Sequence, residues 1–257
     1  MLAPVLAVNQ SVSYGGAKAP ISAELQKDPQ YKPPVDSVPQ ARILLIGLVG
    51  AGKSSFFNSI NSIFRGNITS QAEAGDMGTS LTLKVKAGRG GQPLSFLLCD
   101  TMGLEATDDG GVKTEDIVSI LKGYVPDKYQ VILSMSDINA MNAMHLMAYS
   151  IQHFVLNVAS EFFLLMFVEV PLMVLLTKVD KACPLVEKDL KNVYRSCYIK
   201  GLLSMERCNI SLYVLPVKNY SHEIELNDTC DILLLTAMQK MLNFADGYFD
   251  NWEEDTE

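Results

Sequence analysis

A CxxC pair, a basic excess, an internal repeat and a basic leader region are all missing from this 257-residue chain. Each absence closes off a class of function. The five cysteines, Cys99, Cys183, Cys197, Cys208 and Cys230, are odd in number and widely spread. Without CxxC spacing they suit neither a zinc site nor redox exchange, and they read as reduced core residues of a cytoplasmic protein. A net charge of -8 repels polyanions, so no nucleic-acid partner is expected. The opening MLAPVLAVNQ is apolar but has no basic residue before the apolar stretch, so a secretory signal is not expected. The one long apolar run, residues 154–177, contains Glu161, Glu169 and Pro171 and merges into a strand pattern, so membrane insertion is not expected either. With no repeat and 48% hydrophobic residues, one globular unit with a sizeable core is the working assumption.

Regular periodicity is also missing from residues 1–40, where Pro4, Pro20, Pro29, Pro33, Pro34 and Pro39 interrupt any element. This stretch reads as a proline-rich, flexible tail. At Ala41 the composition changes. Ile43, Leu44, Leu45 and Ile46 form the short apolar run expected of a central parallel strand. Phe56, Phe57, Ile60, Ile63 and Phe64 then recur at helical spacing over residues 55–64. Residues 81–85 and 94–99 read as antiparallel strands joined through the glycines of 88–91. Residues 172–176 and 212–215 are two further strands, separated by a charged, helical stretch over 186–203. A last helix over 231–244 places Leu233, Leu234, Ala237, Met241 and Ala245 on one side. The order predicts an α/β P-loop NTPase, GTPase-like: three layers over 41–250, a mostly parallel sheet with helices on both faces, then an acidic tail at 251–257.

Gly47-Leu48-Val49-Gly50-Ala51-Gly52-Lys53-Ser54 matches G-x-x-x-x-G-K-S/T between a strand and a helix, the context this pattern requires. Here Gly47, Val49, Gly50, Ala51, Gly52, Lys53, Ser54 and Ser55 are expected to hold phosphates. The glycines let the backbone curl with its N–H groups inward, and the helix N-terminus adds positive potential. Lys53 bridges the β- and γ-phosphates and is the candidate catalytic residue; Ser54 is a candidate Mg²⁺ ligand. Glycine-rich strand-to-helix turns occur without ligands, but that reading leaves a lysine aimed into a ring of donors unexplained. Asp100-Thr101-Met102-Gly103 ends the run at Cys99. Behind a P-loop, Asp100 reaches the Mg²⁺ shell and the Gly103 N–H senses the γ-phosphate; on its own the segment reads as a capped turn. Among Thr79, Ser80 and Thr82 ahead of it, Thr79 is the chosen Mg²⁺ ligand.

Thr177-Lys178-Val179-Asp180 follows the strand at 172–176, at the carboxyl edge where ligands of open α/β sheets bind. A carboxylate at Asp180 accepts from both N1–H and the 2-amino group of guanine, which adenine does not offer in that arrangement. Lys178 would lay its stem along the base. The tetrapeptide alone is common in surface loops; its order after a P-loop and a DxxG carries the guanine reading. Lys218 and Asn219, in Pro216-Val217-Lys218-Asn219 after the next strand, occupy the position of a last base-contacting loop.

The segments ARILLIGLVGAGKSSFFNSINSIF, LLCDTMGLE, ILKGYVPDKYQ, VLLTKVD and VLPVKNYSHEIEL together resemble the interferon-induced protein 44 and 44-like family. The resemblance implies a cytoplasmic, interferon-responsive immune or antiviral protein with a GTPase-like domain. Some members carry a further N-terminal domain, for which the first forty residues show no counterpart. Residues 131–171 depart from the family pattern. GTP and Mg²⁺ are the expected ligands. Leu104 stands where related GTPases place a water-orienting glutamine, so intrinsic hydrolysis is expected to be slow, with a homodimer through the nucleotide face as a source of the missing group. A scaffold without turnover and an ATPase or kinase remain the alternatives.

Overall fold

The computed structural model describes residues 31–35, 38–45, 50–70, 81–86, 93–100, 147–150, 171, 173–205 and 213–254. Strand β1 (Ala41–Leu45) leads to helix α1 (Lys53–Arg65), followed by β2 (Leu81–Lys86), β3 (Pro93–Asp100), β4 (Met147–Ser150) and β5 (Met173–Thr177). Short helices α2 (Val179–Ala182) and α3 (Pro184–Lys188), a 3-10 turn at Leu190–Asn192, α4 (Cys197–Met205), β6 (Tyr213–Pro216) and α5 (Asp228–Glu254) complete the order. The fold is mixed α/β.

Two three-stranded sheets form, in the orders β1-β3-β2 and β4-β5-β6. β1 runs parallel to β3, and both β4 and β6 run parallel to β5. β2 pairs antiparallel with β3, as the glycine-rich turn predicted. Every residue of β5 is buried, which is why Met173 to Leu176 are continuously apolar rather than alternating, and buried Thr177 hydrogen-bonds. Met173 and Leu175 join Ile43, Leu45, Phe96, Leu98 and Leu215 in a core covered by α1 and α5. Val174 and Leu176 point the other way, into a second cluster with Val179, Val186 and Ile199. Strand β5 thus has helices on both faces, and one core serves both sheets. On α1, Phe56, Phe57, Ile60 and Ile63 are the buried face that the apolar spacing anticipated.

Three differences from the sequence reading have physical causes. The helical stretch at 186–203 is broken, because Asp189 is extended and its carboxylate accepts from Lys191 N, which starts a new turn. The last helix begins earlier than 231, where Asn227 Oδ1 caps it by accepting from Thr229 N (3.0 Å) and Cys230 N (3.2 Å). It also continues through Glu254, into the segment assigned to an acidic tail. Packing begins before Ala41 too. Val35 and Val38 are buried in the main core, and the Tyr31 hydroxyl donates to Asp246 at 2.7 Å. Those few apolar side chains among the prolines suffice to dock the part of the expected tail that is described. Among the described residues no helix is long and apolar enough to cross a membrane. Of the atypical 131–171 stretch, residues 147–150 form β4 beside β5 and most of the rest lies outside the described residues.

Candidate functional site

The turn between β1 and α1 uses glycine where the backbone demands it. Gly50 has φ 77° and Gly52 has φ 95°, both in the left-handed region. Gly52 is the N-cap of α1, and its carbonyl accepts the first helical bond from Phe56 N at 2.8 Å. Lys53 is the first helical residue and is buried, 6% exposed, at an N-terminus with no acidic residue in its first turn.

Three consecutive carbonyls of this turn are each tied by a side chain from another loop. Lys178 Nζ donates to Gly50 O at 2.8 Å. Thr177 Oγ1 donates to Ala51 O at 2.8 Å, in a buried bond. Asn219 Nδ2 donates to Gly52 O at 3.0 Å. In a trans peptide the carbonyl and the following N–H point in opposite directions, and there are no cis bonds here. The N–H groups of Ala51, Gly52 and Lys53 each therefore point away from the tie on the preceding carbonyl, near the positive end of the 13-residue α1. Backbone N–H groups beside a helix N-terminus are in general suited to an anion.

The tying side chains come from the carboxyl ends of β5 and β6. Lys178 has φ 56°, the one non-glycine residue with positive φ among the described residues. Such a conformation costs roughly 1–2 kcal/mol and persists because its contacts over-determine it. Asp180 sits in the first turn of α2, half-buried. Lys218 ion-pairs with Glu223, and its ammonium lies 6.0 Å from the Tyr220 ring centroid. Burial alone would lower the Lys218 pKa, but the Glu223 hydrogen bond and the charges around it, Asp180 included, hold it above its ordinary value. Burial would likewise raise Glu223; Lys218 and the N–H of Ser221 at 2.8 Å hold it down at about 2. Asn219 Oδ1 is buried and has no hydrogen-bond partner.

Of the residues expected at the site, Gly50, Ala51, Gly52, Thr177, Lys178 and Asn219 come together directly, and Lys53 opens the adjoining helix. Ser54 and Ser55 follow in the first turn of α1, partly exposed. Asp100 ends β3, in register with Leu45 at the end of β1, where the glycine-rich turn begins. Gly47, Val49, Thr79, Gly103 and Leu104 lie outside the described residues. Among the described residues no cluster of three His, Cys, Asp or Glu side chains is present to hold a metal. Ser59, Tyr220, Glu223 and Asp231, which support the loop carrying Asn219, were not anticipated. A serine at 59 inside the apolar face of α1 was the available signal.

No family model matches the chain. Human interferon-induced protein 44-like is 34% identical over 255 aligned residues, covering 86% of this chain and 55% of the relative. Human interferon-induced protein 44 is 33% identical over 251, covering 86% and 56%. Mouse interferon-induced protein 44 is 32% identical over 269, covering 88% and 60%. The chain spans little more than half the length of the curated relatives it matches. On identity sustained over most of its length, the chain belongs to the interferon-induced protein 44 and 44-like family.

Proposed function

We propose that this chain is a GTP- and Mg²⁺-binding P-loop protein with a GTPase-like fold, acting in the cytoplasm in an interferon-induced immune or antiviral response. The single observation that carries the nucleotide reading is the tie of three consecutive loop carbonyls, at Gly50, Ala51 and Gly52, to Lys178, Thr177 and Asn219. With those carbonyls engaged, the N–H groups that follow them, beside buried Lys53, are the donors this reading assigns to phosphate. The tie also brings the loops that carry Asp180 and Asn219 next to that turn. A phosphate-binding turn at a helix N-terminus together with a base-reading group at the carboxyl edge of the sheet is what a nucleotide requires.

In this reading Lys53 and the loop N–H groups take the phosphates, while Ser54, with Asp100 and Thr79, holds Mg²⁺. Asp180 accepts from the guanine edge. Gly103 follows the γ-phosphate. The immune role is carried over from the names of the relatives. Calorimetric titration with GTP and with ATP, each with and without Mg²⁺, tests the proposal. The expected result is Mg²⁺-dependent binding of GTP in preference to ATP. Equal affinity for both removes the guanine assignment, and binding of neither leaves a nucleotide-free interaction scaffold.

A further inference from the structure

Lys218 and Asn219 lie between two backbone anchors. On one side Val217 N donates to Leu176 O, at the end of β5, at 2.8 Å. On the other, Tyr220 N donates to Ser59 Oγ on α1 at 2.9 Å, in a buried bond joining residues 161 apart in sequence. The first anchor is main chain to main chain. The second depends on one hydroxyl. Ser59 is fully buried within the apolar face of α1, where an unpaired hydroxyl would be costly. Its O–H donates to Ser55 O at 2.7 Å, which leaves its lone pairs for the Tyr220 N–H. Tyr220 is held from the far end as well. Its hydroxyl accepts from Asn227 N at 2.6 Å and donates to Asp231 Oδ1 at 2.6 Å, on the first turn of α5.

We infer that Ser59 is a positioning residue: its hydroxyl fixes the 217–220 loop to the helix that begins at Lys53, so that base contacts and phosphate contacts are made in one fixed geometry. The inference rests on the nucleotide reading above. Ser59 touches no ligand itself; it acts through Tyr220 on the two residues between the anchors. Ser59→Ala leaves the Tyr220 N–H buried without an acceptor. The loop must then move, and Asn219 moves with it away from the Gly52 carbonyl.

The test is titration of wild type and Ser59→Ala with GTP and with inorganic tripolyphosphate, both with Mg²⁺, together with amide exchange at 217–220. Ser59→Ala is expected to weaken GTP by about tenfold, to weaken tripolyphosphate by only about threefold because the ties at Gly50 and Ala51 remain, and to speed exchange at Tyr220 by about tenfold. Ser59→Cys keeps the side-chain size but replaces the oxygen with a weak acceptor, and is expected to give the same split if Ser59→Ala fails to fold. Equal losses for GTP and tripolyphosphate would show that Ser59 merely supports the helix. Unchanged GTP affinity overturns the positioning role while the nucleotide reading stands. Wild-type protein that binds neither ligand overturns both.

Discussion

Alanine at Gly52 probes the site more sharply than alanine at any other glycine among the described residues. A Cβ at Gly52 would lie 3.0 Å from Asn219 Nδ2 and 3.8 Å from the Thr177 side chain, at φ 95°. At Gly50, φ 77°, and at Gly66, φ 73°, a Cβ would meet nothing within 4 Å. All three substitutions therefore carry the left-handed backbone penalty, roughly 1–2 kcal/mol. Only Gly52→Ala adds a steric term. The Asn219 amide must withdraw by a few tenths of an ångström, which weakens its bond to Gly52 O at a further cost of about 1 kcal/mol. Urea unfolding should place Gly50→Ala and Gly66→Ala about 1–2 kcal/mol below wild type and Gly52→Ala about 2–3 kcal/mol below it. Repeating the pair in an Asn219→Ala background should bring Gly52→Ala level with Gly50→Ala, since neighbouring substitutions fail to add. In nucleotide titration Gly66→Ala, at the far end of α1, should match wild type, while Gly52→Ala should bind at least about tenfold more weakly. If Gly52→Ala is no less stable than Gly50→Ala, the contact with Asn219 does not constrain the loop, and the reasoning from the carbonyl ties fails.

Three more outcomes are expected. Lys53→Ala should reduce GTP affinity by about tenfold to a hundredfold or more while its urea midpoint stays near wild type, because a charge-assisted phosphate contact is lost and the apolar strands are not; undiminished affinity in a folded variant removes the phosphate assignment. Asp180→Asn should weaken GTP by up to about 10⁴-fold and improve xanthosine triphosphate, whose 2-oxo group accepts from an amide; unchanged base preference in competition titrations excludes Asp180 as the reader. Glu223 has its carboxyl lowered from 4.5 to about 2 by Lys218 and nearby N–H groups, so the stability it contributes is complete above pH 4.5 and is lost as pH falls towards about 2. Urea midpoints of Glu223→Gln should accordingly depend less on pH across that window, and an unaltered profile would show that the ion pair does not support the loop.

What the sequence made legible is what short-range chemistry dictates. Positive φ at Gly50 and Gly52 follows from a glycine-rich turn whose left-handed backbone glycine adopts without strain, and the burial of β5 on both faces follows from the unbroken apolar run Met173 to Leu176. The breaks at Asp189 and the cap at Asn227 were less legible, because each is one polar side chain overriding a periodic pattern. Docking of Tyr31, Val35 and Val38 was missed for a related reason: three apolar residues among prolines carry no period, yet each finds a place in the core. Least legible was the contact between Ser59 and Tyr220. Both lie in segments that resemble the family, but no motif gives either a role, and a bond between residues 161 apart joins them only in the fold.

The position of the site between two sheets explains why side chains hold it. Among the described residues no strand pairing joins β1-β3-β2 to β4-β5-β6. The glycine-rich turn leaves the first sheet, whereas Thr177, Lys178 and Asn219 leave the second. Main-chain ladders fix the geometry within each sheet, and among the described residues the two halves of the site are related by the shared core and by the bonds at Gly50, Ala51, Gly52 and Ser59. Each such bond contributes only about 0.5–1.5 kcal/mol net, small against the stability of a domain. Against the energy that separates one base from another, however, the four together are not small. Substitutions at these positions should therefore leave the protein folded and alter what it binds, in contrast to substitutions at Leu98 or Phe56, buried in the core that both sheets share.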